Sequence, residues 1–380
     1  MPCLNEAETL ATCIRKARQG MEEAGIGGEI LVADNGSRDG SRDIAVREGA
    51  RVVEIAEKGY GSALRGGIAA ARSPWILMAD ADDSYDFSKL RPFIERLRDG
   101  DELVMGCRMP WGGGTVMPGA MPWKHRWIGN PVLSFIGRLL FRCPAQDFHC
   151  GMRAFKKAAY ERLELRTTGM EFASEMVIKA TLKNLRISQV PITLHPDGRS
   201  RPPHLRSWRD GWRHLRFMLL FSPRWLFLLP GLGITLCGLA GLTVLSAGTM
   251  IFGKVVLDVG TMISCSMMLL IGVQLIFLAV FTRVFAVNAG LLPRNENLDR
   301  IGRAVSLEAG IVAGLLLFLV GLSLFGVAFW DWKEAGFQGL AYGENLRRVI
   351  PASTFLVLGI QLLFGSFFLG VLGLQPTIRE

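Results

Sequence analysis

Trp75-Ile-Leu-Met-Ala-Asp80-Ala-Asp82-Asp83 is the stretch on which the fold turns. An apolar run of strand length stops abruptly on alternating carboxylates. The same pattern occurs earlier as Glu29-Ile-Leu-Val-Ala-Asp34, and Arg51–Ile55 and Glu102–Gly106 are two further short apolar runs. Helical segments fall between them, near Ala7–Glu23, Asp39–Glu48, Gly61–Arg72 and Ser88–Arg98. Strands alternating with helices predict an α/β domain with a mostly parallel sheet covered on both faces. Ligands of such sheets bind at the carboxyl ends of the strands, where Asp34 and Asp80 stand. Alternate carboxylates on a turn can hold one Mg²⁺ or Mn²⁺ through oxygen ligands and leave positions for diphosphate oxygens. The bland alternative is a solvated acidic turn, or a cap for a helix beginning near Ser88.

The chain beyond this domain is of another kind. Of 380 residues half are hydrophobic and the net charge is +9, which excludes a disordered chain. Residues 1–222 carry +7 of that charge and residues 223–380 only +2. Four apolar stretches, Trp225–Ile251, Val259–Val287, Leu307–Trp330 and Val349–Leu374, are each long enough to cross a bilayer as a helix. An even number of spans returns the C-terminus to the side of the first domain. Arg294, Arg300 and Arg303 lie in the middle loop on that side, so the positive-inside rule makes it cytoplasmic. The expectation is an integral protein of a bacterial inner membrane with its catalytic domain in the cytoplasm. The seven cysteines form no CxxC pair, which fits a reducing compartment, and polar Met1–Thr9 with Pro2 does not read as a cleavable signal.

Between the two parts, Leu205, Trp208, Trp212, Leu215 and Leu219 repeat at helical spacing beside Arg206, Arg209, Arg213 and Arg216. An apolar, aromatic face with a basic flank suits a helix lying in the headgroup layer. Nucleic-acid binding is the other reading of such an arginine cluster, and the adjoining bilayer explains it more simply. The expected domains are residues 1–200, a juxtamembrane helix over 201–222, and a membrane domain over 223–380.

Pro2-Cys-Leu-Asn-Glu6, Asp34-Asn-Gly-Ser-Arg-Asp-Gly-Ser41, Lys58-Gly-Tyr-Gly61 and Asp80-Ala-Asp82 come in the order and spacing of the family 2 glycosyltransferases, whose fold is GT-A. Asp147-Phe-His-Cys-Gly-Met-Arg153 resembles the D-x-x-x-G-F-R segment of one branch, the dolichol-phosphate mannose synthases and polyprenyl-phosphate glycosyltransferases. Val190-Pro-Ile followed by Gly198-Arg-Ser-Arg201 resembles that branch's V-P-I…G-x-S-K segment.

The resemblance implies a nucleotide-sugar donor, a polyprenyl-phosphate acceptor and a divalent metal, Mg²⁺ or Mn²⁺. It implies donor contacts from Pro2, Leu4, Glu6, Asp34, Gly61 and Asp80, and metal ligation by Asp80 and Asp82. It makes Arg108, Arg153 and Arg201 candidates for gripping the acceptor phosphate. Arginine suits bidentate phosphate binding, while the bland alternative for each is an ion pair. Glu175 stands near where other family members place a base; it lies four residues before Lys179 on an expected helix, Gly169–Leu185, so an ion pair is the competing reading.

This sequence departs from the family in three places. Leu4 replaces an aromatic residue, Ser84 replaces a glutamine that can join the metal, and the chain begins at Met1, where a strand is expected to precede P-x-x-N-E. The expectation is that the start is assigned too late. Three other patterns point elsewhere. Asp147-x-His149-Cys150 has the look of a metal cluster without a second half, Lys58–Gly67 is glycine-rich without a P-loop's GK[ST] ending, and Arg224-Trp225 resembles the Q-x-x-R-W motif of processive synthases but has Phe221 at the glutamine position. A processive polysaccharide synthase and a transporter using the spans are the rival readings. The spans hold few ionisable residues, which argues against transport.

Overall fold

The computed structural model describes residues 1–200, 207–292, 307–338 and 342–373. The chain divides into two units, Met1–Met218 and Leu219–Glu380, so the boundary falls within the expected juxtamembrane helix.

The first unit opens with β1 (Pro2–Cys3), α1 (Leu10–Glu23), β2 (Leu31–Asp34), α2 (Ser41–Arg47), β3 (Arg51–Glu54) and α3 (Tyr60–Ala70). The three strands form a parallel sheet in the order β1-β2-β3. Leu10, Cys13, Ile14 and Ala17 recur at three- and four-residue spacing, and all are buried along one stripe of α1. That stripe fixes the helix against the sheet.

There follow β4 (Trp75–Met78), α4 (Arg91–Arg98), β5 (Leu103–Cys107), β6 (Thr115–Val116), α5 (Asn130–Phe141), β7 (Arg153–Lys156), α6 (Lys157–Leu163), α7 (Phe172–Leu182), β8 (Ile187–Pro191), β9 (Thr193–Leu194) and α8 (Ser207–Leu220). A second sheet has the order β4-β7-β5-β8. Here β7 runs antiparallel to both neighbours and β5 parallel to β8. The sequence reading did not register β7, whose four residues begin on a charge. It lies between β4 and β5 because the chain returns there after the long excursion that follows β5. An antiparallel return needs no crossover helix. Among the described residues no ladder joins the three-stranded sheet to the four-stranded one. An apolar cavity of about 500 Å³ is lined by Met1, Leu31, Leu64, Trp75, Leu77 and Leu97 among others.

The second unit holds four helices long and apolar enough to cross a membrane, Arg224–Ala247, Val259–Asn288, Leu307–Glu334 and Gly343–Gly373. They match the four expected spans. A short hairpin, Met250–Phe252 with Val255–Leu257, connects the first two. Helix pairs meet at small residues. A methyl group on Gly238 would stand 2.5 Å from the Leu269 nitrogen, and one on Gly314 2.8 Å from that of Leu363. Such contacts bring backbones together, as membrane helix packing requires in the absence of a hydrophobic force between helices. Ser266 and Thr354, both buried, join the second and fourth helices through a 2.6 Å hydrogen bond. Arg294, Arg300 and Arg303, on which the orientation rested, lie outside the described residues.

Candidate active site

The site is built where strands end. Asp34 closes β2 and pairs in register with Cys3 of β1. Its carboxylate accepts from Arg42 Nε at 2.7 Å, Gly36 N at 3.1 Å and Ser37 N at 3.2 Å. Burial pushes its pKa up, but the hydrogen bonds from Ser37, Arg42 and the Gly36 amide outweigh burial and hold it below the usual carboxylate range. Asn35 next to it shapes the following loop: its amide donates to the carbonyls of Ile55 and Glu57, and its oxygen accepts from Gly59 N at 2.8 Å. Pro2 lies in β1, Leu4 is exposed beside it, and Glu6 is buried, its amide donating to Ser41 Oγ at 2.9 Å.

Asp80, Asp82 and Asp83 follow β4. Asp80 is half-buried; desolvation and the charge of Asp82 raise its pKa to about 6, against the opposing pull of the Tyr60 hydroxyl and the charges of Arg199 and Arg108. Asp82 Oδ1 accepts from both the amide and the hydroxyl of Ser84, at 3.1 and 2.5 Å. Ser84, expected only as a poor substitute ligand, thus holds the carboxylate in position. Asp83 turns away to Lys16 Nζ at 2.7 Å, and Thr9 Oγ1 donates to Ala81 O at 2.6 Å, tying α1's start to this turn. Two hard oxygen ligands, one burdened by its neighbour's charge, fit a small divalent cation. Among the described residues no three His, Cys, Asp or Glu side chains converge. Asp80 and Asp82 are the two carboxylates such an ion would use, its other positions falling to water or phosphate oxygens.

The arginines expected at the acceptor phosphate are placed inside the wall of the site. Arg108, following β5, is buried and grips Asp147 with Nε and Nη2, at 2.7 and 2.8 Å. Burial alone would lower its pKa, but the Asp147 charge carries it well above the ordinary value. Arg153, at the start of β7, has no exposed surface. It donates to the carbonyls of Cys150, Ala173 and Phe148, at 2.8, 2.6 and 3.4 Å, and burial lowers its pKa. Its donors are spent on the chain itself, so in this arrangement it ties the Phe148–Cys150 turn to α7 rather than presenting charge to a ligand. Arg201 lies outside the described residues.

Glu175 is likewise committed. It accepts from Arg166 N, Thr167 N and Thr167 Oγ1 and pairs with Lys179 Nζ at 2.9 Å. Burial raises its pKa, but Lys179 and Thr167 outweigh that and leave it lowered. A carboxylate so saturated is an anchor for the Arg166–Thr167 turn, not a poised base. Gly61, the second residue of α3, packs on that turn, where a methyl group would come within 2.7 Å of Thr167 O.

Four further residues lie at or near the site without having been assigned to it from the sequence, His149 among them having been read only as part of an incomplete metal cluster. Tyr60 lies near enough to Asp80 for its hydroxyl to pull the Asp80 pKa down. Gly151 lies against Asp80 and Tyr85, with a methyl there 3.0 Å from Asp80 Oδ2. His149, with both ring nitrogens buried and unpartnered among the described residues, stacks edgewise on His214 of α8 at 4.7 Å. Arg199 pairs with Asp82 at 2.8 Å, Asp197 at 2.8 Å and Glu6 at 3.2 Å. The motif strings that contain these residues signal a turn; they do not say which side chain points inward.

A second exposed face was also missed. Trp123, Trp127, Ile128, Val132, Phe135 and Leu139, on α5 and the turn leading to it, are exposed at helical spacing. Trp208 and Trp212 of α8 are exposed as the amphipathic reading requires.

Residues 1–164 match the glycosyl transferase family 2, and residues 280–373 match the glycosyltransferase family 2 C-terminal transmembrane region. The low-salt glycan biosynthesis hexosyltransferase Agl6 of Haloferax volcanii is 36% identical over 98% of this chain and 88% of its own. A dolichyl-phosphate hexose transferase of the same organism is 31% identical over 43% of this chain and 68% of its own. Among solved structures, glucosyl-3-phosphoglycerate synthase from Mycobacterium tuberculosis aligns with a TM-score of 0.44 at 20% identity, over 57% of this chain and 76% of that one. From its GT-A domain to its apolar C-terminal helices, this chain belongs to the family 2 glycosyltransferases.

Proposed function

We propose that the protein transfers one sugar from a nucleotide sugar, of the UDP-glucose or GDP-mannose type, to a polyprenyl phosphate at the cytoplasmic face of its membrane. The observation that carries this reading is the placing of Asp80 and Asp82 on the turn that follows β4, with Asp82 linked through Arg199 to Glu6 of the P-x-x-N-E segment. The name of one relative, a dolichyl-phosphate hexose transferase, supports a lipid phosphate as acceptor.

Pro2, Leu4, Glu6 and Asp34 would hold the nucleotide, while Gly61 lets α3 approach the Thr167–Gly169 backbone behind it. Mg²⁺ or Mn²⁺ at Asp80 and Asp82 would neutralise charge growing on the departing nucleoside diphosphate. Arg108, locked by Asp147, lends positive field to Asp80, and Arg201 is our proposed direct contact for the acceptor phosphate. Arg153 and Glu175 act as positioning residues. A phosphate acceptor is anionic at neutral pH, so positioning and electrostatics replace a general base. In-line displacement inverts the anomeric centre and gives a β-linked product from an α-linked donor. The exposed aromatic faces of α5 and α8 would rest in the headgroup layer, where the acceptor's phosphate resides.

The test is to incubate the detergent-purified protein with Mg²⁺, undecaprenyl phosphate and a panel of labelled nucleotide sugars, then extract the lipid. Label in the lipid phase from one donor, lost in Asp82→Ala, is the expected result. Long lipid-free polymer would overturn single transfer, and full activity with all metal chelated would overturn the metal assignment.

A further inference from the structure

Asp82 enters the donor site already occupied. Its Oδ1 accepts from Ser84, and its Oδ2 lies 2.8 Å from Arg199 Nη2. The same guanidinium reaches Asp197 Oδ2 at 2.8 Å and Glu6 Oε1 at 3.2 Å, and its Nε is buried with no partner among the described residues. Arg199 is therefore a fixed, fully charged cation at the mouth of the carboxylate pair.

The segment bearing it is strapped down from both sides. His195 N donates to Ser84 O and Gly198 N to Asp82 O, each at 3.0 Å. Ser200 donates to Glu8 through its amide and its hydroxyl, at 2.7 and 2.6 Å. The strap thus runs from the carboxylate turn to the segment that follows β1.

From this geometry we infer that Arg199 is an internal counter-ion of the donor site, which leaves Asp82 for the donor's diphosphate when the nucleotide arrives. The inference rests on the metal reading proposed above. A divalent cation on Asp82 Oδ2 would sit within contact range of a guanidinium on the same oxygen, and two such charges repel strongly in a partly dry site. The cation alone must take Asp82 from Arg199, whose charge, still held by Asp197 and Glu6, stays beside the metal. A diphosphate would place its own negative charge between the two cations and offer the fork geometry a guanidinium prefers. Metal and nucleotide therefore bind cooperatively, and the coupling resides in Arg199.

The test uses the full-length protein in detergent and follows Mn²⁺ by electron paramagnetic resonance, alone and with UDP or GDP. In the parent protein, Mn²⁺ alone binds weakly and the nucleotide tightens it. In Arg199→Met, Mn²⁺ alone binds roughly tenfold more tightly and the nucleotide no longer adds to it, a coupling of ordinary size. Unchanged Mn²⁺ affinity and unchanged coupling in that variant overturn the inference while leaving the metal site standing. Absence of Mn²⁺ binding to parent and variant alike, with either nucleotide, overturns the metal reading and the inference with it. Should Arg199→Met fail to fold, Ser200→Ala removes one anchor of the strap and keeps every charge in place. It is expected to raise the affinity for Mn²⁺ alone by about threefold, within the lower range of such couplings; no change in that variant overturns the inference too.

Discussion

Arg108 and Asp147, 39 residues apart, form a two-armed ion pair in the interior of the catalytic domain, with the Arg108 amide donating to the same carboxylate at 3.0 Å. Breaking a buried pair from one side leaves the other charge stranded, which costs about 3–5 kcal/mol. Asp147→Ala is expected to lower the melting temperature of the detergent-purified protein markedly. Arg108→Lys retains the charge but cannot reproduce the fork, and should also melt early. An Asp147→Ala protein that unfolds together with the parent would show that the pair does not hold the wall of the site.

Gly151 offers a test confined to the carboxylates. A methyl group there would stand 3.0 Å from both Asp80 Oδ2 and the Tyr85 hydroxyl. Gly151→Ala must shift Asp80 by a few tenths of an ångström. Small displacements of catalytic groups are expensive, so transfer should fall by about tenfold or more while the fold is retained. Activity is read by the lipid-extraction assay and the fold by circular dichroism.

Glu175 gives a pH dependence with a definite sign. Its folded pKa lies below the ordinary value of 4.5, so the native state holds fewer protons than the unfolded one around that pH. Its contribution is present above pH 4.5 and is lost as pH falls through the lower folded pKa. Glu175→Gln should be less stable than the parent at neutral pH by about 3 kcal/mol, since it strands buried Lys179. The gap between the two proteins should narrow on acidification below the ordinary carboxylate value. Urea titrations at a series of pH values measure it; a gap that widens toward acid would contradict the assignment.

Much of this was legible in the sequence, for physical reasons that differ by element. β2 and β4 announce themselves because a buried strand ending on an acid is a one-dimensional pattern. The four apolar spans do so because twenty or so uncharged residues have few other uses. β7 escaped because Arg153-Ala-Phe-Lys156 has charges at both ends, and its burial depends on carbonyls supplied by Cys150 and Ala173. For the same reason Arg153 looked like a phosphate grip: a sequence shows a guanidinium but not where its donors go. Glu175 shows the reverse case, since its i,i+4 pairing with Lys179 was visible while the turn it anchors was not. Arg199 stood inside a quoted motif, yet only folding the strap onto Asp82 gives it a partner.

The exposed face that includes α5 should matter to the lipid substrate alone. Trp127 and Phe135 are exposed apolar residues with Arg126 and Arg138 close by in sequence, a combination suited to anionic headgroups. Trp127→Asp combined with Phe135→Asp is expected to raise the KM for the polyprenyl acceptor about tenfold, the scale of removing two apolar side chains from an interface. Nucleotide affinity, measured by calorimetry, should not move. An unchanged KM would mean that this face does not meet the bilayer during turnover.

Thr9 Oγ1 on Ala81 O and Lys16 Nζ on Asp83 join α1 to the carboxylate turn, while Asp34 stands at the end of β2. A nucleotide diphosphate that touched Asp34 and the Asp80–Asp82 turn together would be a stitch as well as a substrate. The cell's supply of donor would then set how durable the enzyme is, as well as how fast it works.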